Sequence, residues 1–251
     1  MDMGLKQDFI DRWSKYFPSA ELPLTYFWSD GLHGATLMPR SDRWSCVIGE
    51  LARVRKGESL AYAGEALGCG GSQRFFGFTG TLRPKFEYFL SCGIPGEMEG
   101  ERYIKTPEAV KRWLGEPPPL QPAGSRIIFK RWDRVDEADD PEGVVFIAPP
   151  DVLSGLYTLA VFSSGGHDAV ICPFGSGCSA IVYHPLMEQR KENPRAVLGM
   201  FDPSARPCVP AGTLSFAVPM KKFAAMVRDM DDSFLATPTW DAVRKRMADS
   251  K

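Results

Sequence analysis

The sequence predicts a mixed α+β (α/β) fold made of two similar halves, and three observations carry that expectation. Short runs of β-branched and aromatic residues alternate with stretches of helical periodicity. A strand-then-helix order recurs in both halves of the chain. The 251 residues, 44% hydrophobic and 12% aromatic, suffice to bury a sizeable core.

Residues 1–23 carry an N-terminal helix, Asp8 to Tyr16, with Phe9, Ile10 and Trp13 on one face and a stop at Pro18. A first half follows over residues 24–116. It opens with LTYFWSD as a strand, then a turn-rich stretch to Asp42. Ser45 to Arg55 forms a helix with Val47, Ile48, Leu51, Ala52 and Val54 as its apolar stripe. KGES turns into LAYAGEALG, Phe86 to Leu90 is a short apolar segment, and RYIKT reads as a strand. TPEAVKRWLG is a helix with threonine as N-cap, proline at its first position and glycine at its end. Residues 117–142 hold the rest of the proline-rich run EPPPLQPAG, read as a linker, then the strand RIIFKRWDRV and the acidic stretch DEADDPEG, read as a solvated turn.

The second half spans residues 143–235. VVFIAPP is a buried strand, PDVLSGLYTLAVFSS a helix, DAVICPF a strand, and CSAIVYHPLMEQRKENP a helix broken or restarted at Pro185. TLSFAVP and MKKFAAMVRDM repeat the order of RYIKT and its following helix. Residues 236–251 close the chain as a C-terminal helix.

An offset of 109 lays Cys46 to Cys69 without gaps over Gly155 to Cys178, matching Gly57 with Gly166, Gly68 with Gly177 and Cys69 with Cys178. Further on, Cys92 falls on Cys208. This pattern predicts an internal duplication, with Cys69 and Cys178 facing one another where the halves meet.

Thirty basic and 31 acidic residues leave a net charge of −1, without the uniformly basic face that phosphate neutralisation needs, so nucleic acid is not an expected partner. No run approaches the roughly 18 apolar residues that cross a bilayer, and the start is polar and amphipathic. A cytoplasmic location without membrane association is therefore expected. Thiols stay reduced there, so the six cysteines are read as structural thiols, metal or cluster ligands, or redox or nucleophilic groups rather than a disulfide framework.

Two glycine-rich turns each hold one thiol: GEALGCGGSQRFFGF around Cys69 and PFGSGCSAIVYHPL around Cys178. Gly68, Gly70, Gly71, Gly175 and Gly177 are expected to supply positive φ angles and close backbone approach to a ligand. Cys178 precedes a helix, a position that lowers a thiol pKa. Arg74, five residues after Cys69, is placed to stabilise a thiolate or hold a carboxylate. With Cys46 as a third ligand, Cys69 and Cys178 suggest an iron–sulfur cluster or soft metal. No C-x-x-C occurs, so the fold must assemble such a site.

Two other classes stand beside that reading. One is a small-molecule binding module for an anionic or planar ligand, with an aromatic set of Phe75, Phe76, Phe78, Phe86, Tyr88 and Phe89 and no thiol chemistry. The other is a non-enzymatic structural protein. Neither glycine turn has the spacing of a P-loop or a dinucleotide fingerprint. His33, His167 and His184 are read as ordinary hydrogen-bonding residues, and His184 lies six positions after Cys178, off the helical neighbour spacing.

The segment VVFIAPPDVLSGLYTLAVFSSGGHDAVICPFGSGCSAIVYHPL, with NPRAVLGMFDPSARPCVPAGTLSFAVPMKKF, resembles the DUF169 family of uncharacterised proteins. WSCVIGELARVRKGE and GCGGSQRFFGF in the first half do so too. The resemblance covers roughly residues 24–235 and implies membership of a sequence family without bringing an activity.

Overall fold

Helix α1, Met3–Tyr16, starts ahead of its apolar stripe because the Asp2 carboxylate accepts from the Gly4 and Leu5 amides, at 2.8 and 3.2 Å, and caps it. The computed structural model describes residues 1–115 and 118–249. Glu116 and Pro117 of the proline-rich run, and Ser250 and Lys251 at the end of the expected terminal helix, lie outside the described residues. Strands β1 (Leu24–Ser29) and β2 (Thr36–Leu37) lead to α2 (Val47–Arg55), β3 (Leu60–Tyr62), α3 (Gly70–Phe75), α4 (Phe86–Phe89), α5 (Pro107–Gly115) and β4 (Arg126–Arg131). Then come β5 (Gly143–Ala148), α6 (Pro150–Phe162), β6 (Val170–Ile171), a π-helical segment (Ser179–Tyr183) and α7 (His184–Gln189). Strands β7 (Ala196–Gly199) and β8 (Leu214–Pro219), then α8 (Met220–Asp229) and α9 (Pro238–Asp249), complete the order.

All the named strands join one eight-stranded mixed sheet in the order β2-β3-β4-β1-β5-β8-β7-β6. Both faces of the inner strands are covered, so there the two-residue alternation sorts apolar groups between two buried sides, with Phe27, Ala61 and Ile128 joining Ala35 in a small separate cluster, while the edge strand β2 is exposed. Tyr26, Ile127, Phe129 and Val145 point to the face packed by α2, the π segment and α7. Val144, Phe146, Phe216 and Val218 point to the face packed by α1, α6, α8 and α9, where Phe9, Trp13, Trp132 and Phe223 form a continuous aromatic cluster.

The two halves of the sheet have the same topology. From the centre outward, β1 pairs antiparallel with β4, β4 antiparallel with β3, and β3 parallel with β2. On the other side β5 pairs antiparallel with β8, β8 antiparallel with β7, and β7 parallel with β6. An antiparallel β1–β5 contact joins them. The element order does not follow the offset-109 register. Helix α2 lies between β2 and β3, whereas α6 lies between β5 and β6, so the two do not occupy equivalent places. The topological counterpart of α2 is the π segment with α7, between β6 and β7.

Several local expectations change in the structure. RYIKT is no strand: Arg102 has φ +58°, and the amides of Arg102, Tyr103 and Ile104 donate to the carbonyls of Ser91 and Leu90, which folds the segment onto α4. The acidic stretch after β4 is not simply solvated. Asp139 is 1% exposed and accepts from the buried Lys130 ammonium at 2.7 Å and the Asp136 amide at 2.7 Å. The helix around Pro185 does not restart there. The His184 amide donates five residues back to Ser179, and this wider winding accommodates a proline that has no N–H of its own. Among the described residues no helix is long and apolar enough to cross a membrane.

Candidate functional site

Four thiols gather where α2, α3, the π segment and the Arg206–Cys208 turn approach one another. Cys46 is the N-cap of α2 and Cys69 the N-cap of α3; Cys178 leads the π segment, and Cys208 ends the short 3-10 turn after β7. The sheet topology makes Cys46 the counterpart of Cys178, each preceding an equivalent helix. Cys69 and Cys208 correspond likewise, each following an equivalent strand. Cys208, which the sequence register matched with Cys92, thus enters the site, while Cys92 and Cys172 stay exposed elsewhere. Sequence reading missed Cys208 because β7, the strand it follows, is a four-residue strand without a clear signal in NPRAVLGM.

Close packing brings the thiols together. Cys208 lies against Cys46, and a Cβ on Gly49 of α2 would sit 3.8 Å from the Cys208 sulfur. Burial pushes the Cys46 thiol up to about 11, with Cys208 adding to the rise, while the Ile48 and Gly49 amides pull the other way without prevailing. Cys178 is buried, and its pKa stands well above the ordinary value, first through burial and then through Cys46, Cys69 and Asp202. The expected lowering of the Cys178 pKa at a helix start is therefore reversed, because loss of solvent outweighs the helix dipole. All six cysteines are free. Among the described residues no group of three or more His, Cys, Asp or Glu side chains is arranged to hold a metal ion, so Cys46, Cys69 and Cys178 do not form a ready-made ion site.

The glycines serve packing rather than unusual backbone. None of Gly68, Gly70, Gly71, Gly175 and Gly177 has a positive φ. A Cβ on Gly177 would lie 3.1 Å from Ala205 and Met200 and 3.2 Å from Ile48, so its absence lets the π segment seat against α2. On Gly68 a Cβ would meet Ser45 Oγ at 2.5 Å and the Arg43 carbonyl at 2.6 Å, so this glycine admits the 38–45 loop. Gly175 is crowded by Ser179, Gly71 borders the Cys69 sulfur, and Gly70 faces open space. Arg74 donates to the carbonyls of Gly80 at 3.1 Å and Leu114 at 3.2 Å, tying α3 to the end of α5 instead of contacting Cys69. The aromatic set does not wall one pocket: Phe75 and Phe76 are core, and Phe86 pairs with Phe89.

A cleft of about 450 Å³ opens beside the thiols, between the 38–45 loop and Ala66–Gly68. Val47 and Glu50 of α2 and Tyr62 of β3 are among its lining residues. Its lining residues flank Cys46 on both sides and directly precede Cys69. Tyr62 is 2% exposed, and its hydroxyl has no hydrogen-bond partner among the described residues. Burial raises the pKa of that hydroxyl, and Glu50 adds to the rise.

The histidines do not join the thiols. His33 bridges Ser29 Oγ at 2.9 Å and Asp139 Oδ1 at 3.0 Å, fastening the end of β1 to the acidic turn, an order of Ser, His and Asp that sequence reading did not bring together. The other Asp139 oxygen is taken by Lys130. His184 is held neutral, its pKa lowered to about 4 by burial.

The model of the DUF169 family, described as uncharacterised ArCR, matches residues 25–229. No curated protein and no solved structure matches the chain.

Proposed function

Since this chain belongs to the DUF169 family, whose description names no activity, we propose from the site itself that the thiols of Cys46, Cys69, Cys178 and Cys208 hold an iron–sulfur cluster, with a soft metal as the simpler variant. The observation behind this reading is the convergence of four cysteines from distant parts of the chain, Cys178 buried and Cys46, Cys69 and Cys208 half-buried, in topologically matched pairs. A single tetrahedral ion needs Zn–S bonds of about 2.3 Å, and therefore thiols within roughly 4 Å of one another. Cluster thiolates bind different iron atoms and stand wider apart. One contacting pair, Cys46 with Cys208, and a Cys178 that feels both Cys46 and Cys69 without a compact three-donor set, suit the wider requirement better.

The raised thiol pKa values are compatible with this chemistry, because a bound metal supplies the positive charge that burial withholds and displaces the proton outright. Loading then releases protons and is favoured as pH rises. The matched strand order and pairing senses of the sheet halves support a second part of the proposal, that the chain arose by duplication with Cys46 equivalent to Cys178 and Cys69 to Cys208.

Iron and acid-labile sulfide, measured with the visible spectrum on protein purified without oxygen, test the reading. Stoichiometric iron and sulfide with charge-transfer absorption are expected, lost in Cys46→Ser, Cys69→Ser, Cys178→Ser and Cys208→Ser and retained in Cys92→Ser and Cys172→Ser. A folded protein that takes up neither iron and sulfide nor zinc under anaerobic reconstitution would overturn it.

A further inference from the structure

A second group of reactive side chains lies at the end of β1, and no cysteine belongs to it. His33 Nδ1 stands 3.0 Å from Asp139 Oδ1, and His33 Nε2 stands 2.9 Å from Ser29 Oγ. The groups behind this relay fix its protons. Asp139 Oδ2 accepts from the Lys130 ammonium at 2.7 Å and from the Asp136 amide at 2.7 Å. Beside that ammonium the side chain is a carboxylate, and Oδ1 is left to accept from the imidazole. An acceptor at Oδ1 requires the proton on Nδ1, and a neutral imidazole then turns its Nε2 lone pair toward Ser29. The Ser29 hydroxyl therefore donates to Nε2, while its oxygen accepts from the Gly31 amide at 3.0 Å.

The imidazole is held from two further directions. The buried Phe27 ring meets it edge-on, with 5.2 Å between centroids. His33 itself takes φ +48°, uncommon for a residue with a side chain, in a turn closed by the Ala35 amide on the Leu32 carbonyl at 2.8 Å. Solvent reaches the site: Ser29 and His33 are half-buried, and Gly31, Leu32 and Gly34 beside them are exposed. We propose that Ser29 is the nucleophile of an esterase site, with His33 as general base and Asp139 as the positioning residue, acting on carboxylic esters with a weakly basic leaving group. In the first step the Ser29 oxygen bonds to the ester carbonyl carbon as its proton passes to His33 Nε2; the carbon–oxygen bond to the leaving group breaks, and the alcohol departs with that proton. Water then attacks the acyl-serine and gives a proton to Nε2, which returns it to Ser29 as the carboxylic acid leaves. A leaving group of low basicity asks least of the oxyanion donors that add to such a relay.

The test uses the full chain carrying Cys92→Ser and Cys172→Ser, so that the exposed thiols do not contribute. An alkyl fluorophosphonate, from which an activated serine displaces fluoride, is expected to add once per chain, at Ser29 by peptide mass mapping. Hydrolysis of 4-nitrophenyl acetate should be at least about a hundredfold faster than in Ser29→Ala or His33→Gln, the lower end of what a positioned general base contributes. The role of Asp139 has a spectroscopic readout. In Asp139→Asn the side-chain oxygen must still face Lys130 and the Asp136 amide, so the new NH2 faces Nδ1 and moves the imidazole proton to Nε2. Nitrogen-15 spectra of labelled histidine, assigned with His33→Gln, should show Nδ1–H in the parent chain and Nε2–H in Asp139→Asn, with the fluorophosphonate adduct lost in step. Ser29→Ala and His33→Gln, at half-buried positions, keep the test decisive if Asp139→Asn does not fold. No adduct on Ser29 in the folded chain, or equal labelling of the parent and His33→Gln, overturns the proposal and leaves the three side chains as a fastening between β1 and the acidic turn.

Discussion

Lys130 shows what one residue can demand of a fold. Its side chain is 2% exposed, in the middle of the sheet, and its ammonium is held by Asp139 at 2.7 Å and Asp136 at 3.2 Å. Asp139 is as deeply buried, and also fixes His33. Removing one partner of a buried pair leaves an uncompensated charge, so Asp139→Ala is expected to destabilise by about 3–5 kcal/mol in urea unfolding. Lys130→Met with Asp139→Ala should recover much of that loss, because no charge is then left stranded. A double variant as unstable as Asp139→Ala alone would show that the cost lies in lost packing. Asp231 shows the exposed case: hydrogen bonds from Lys15, Tyr16 and Arg12 hold its carboxyl below the ordinary range. Its contribution is present above the ordinary carboxylate pKa of 3.8 and is lost as pH falls below it. The small stability advantage of wild type over Asp231→Asn should therefore be seen at pH 7 and fade toward pH 2.

At the scale of elements, the contact between α2 and the π segment positions the thiols, and it rests on a missing Cβ at Gly177. Gly177→Ala would press a methyl against Ile48, Met200 and Ala205 at 3.1–3.2 Å, and is expected to cost about 1–3 kcal/mol by overpacking. Gly70→Ala, at the open start of α3, should cost nothing or stabilise slightly, since alanine is the better helix former. Comparing the two by thermal unfolding separates glycine needed for contact from glycine that is merely present. The same helical segment carries a titration. His184 is neutral in the fold, with its pKa lowered from 6.5 to about 4, so the unfolded chain binds the proton first as pH falls. Stability should drop between about pH 6.5 and 4 by on the order of 2–3 kcal/mol and level below that. His184→Gln should flatten this part of the curve.

At the scale of the whole molecule, the elements with strong local signals were legible: the aromatic stripe of α1, the capped α5, and the apolar runs of β1, β5 and β8. Elements set by long-range pairing were not. Strand β2 has two residues, β7 hides in NPRAVLGM, and RYIKT has strand composition but gives its amides to an adjoining turn. The site was half legible for the same reason. Two glycine-cysteine turns stood out, but sequence spacing paired Cys69 with Cys178, and only the strand order pairs Cys46 with Cys178 and brings in Cys208.

That dependence on long-range pairing bears on whether either half can stand alone. The strand after the proline-rich run, β4, returns to lie between β3 and β1, so the run is bridged by sheet pairing on the N-terminal side. The helical layer over β5 and β8 is completed by Phe9, Trp13 and Trp132 from residues 1–142. In the other layer Ile181, Val182 and Tyr183 pack with Leu51, Phe75 and Phe129. Each half left alone would expose one side of both cores and an open central strand edge. Fragments 1–142 and 143–251, made separately, are therefore expected to lack a cooperative thermal transition and to regain one on mixing. Cooperative melting of either fragment alone, with dispersed amide resonances, would show that each half carries a sufficient core and that the joint cores only dock preformed units.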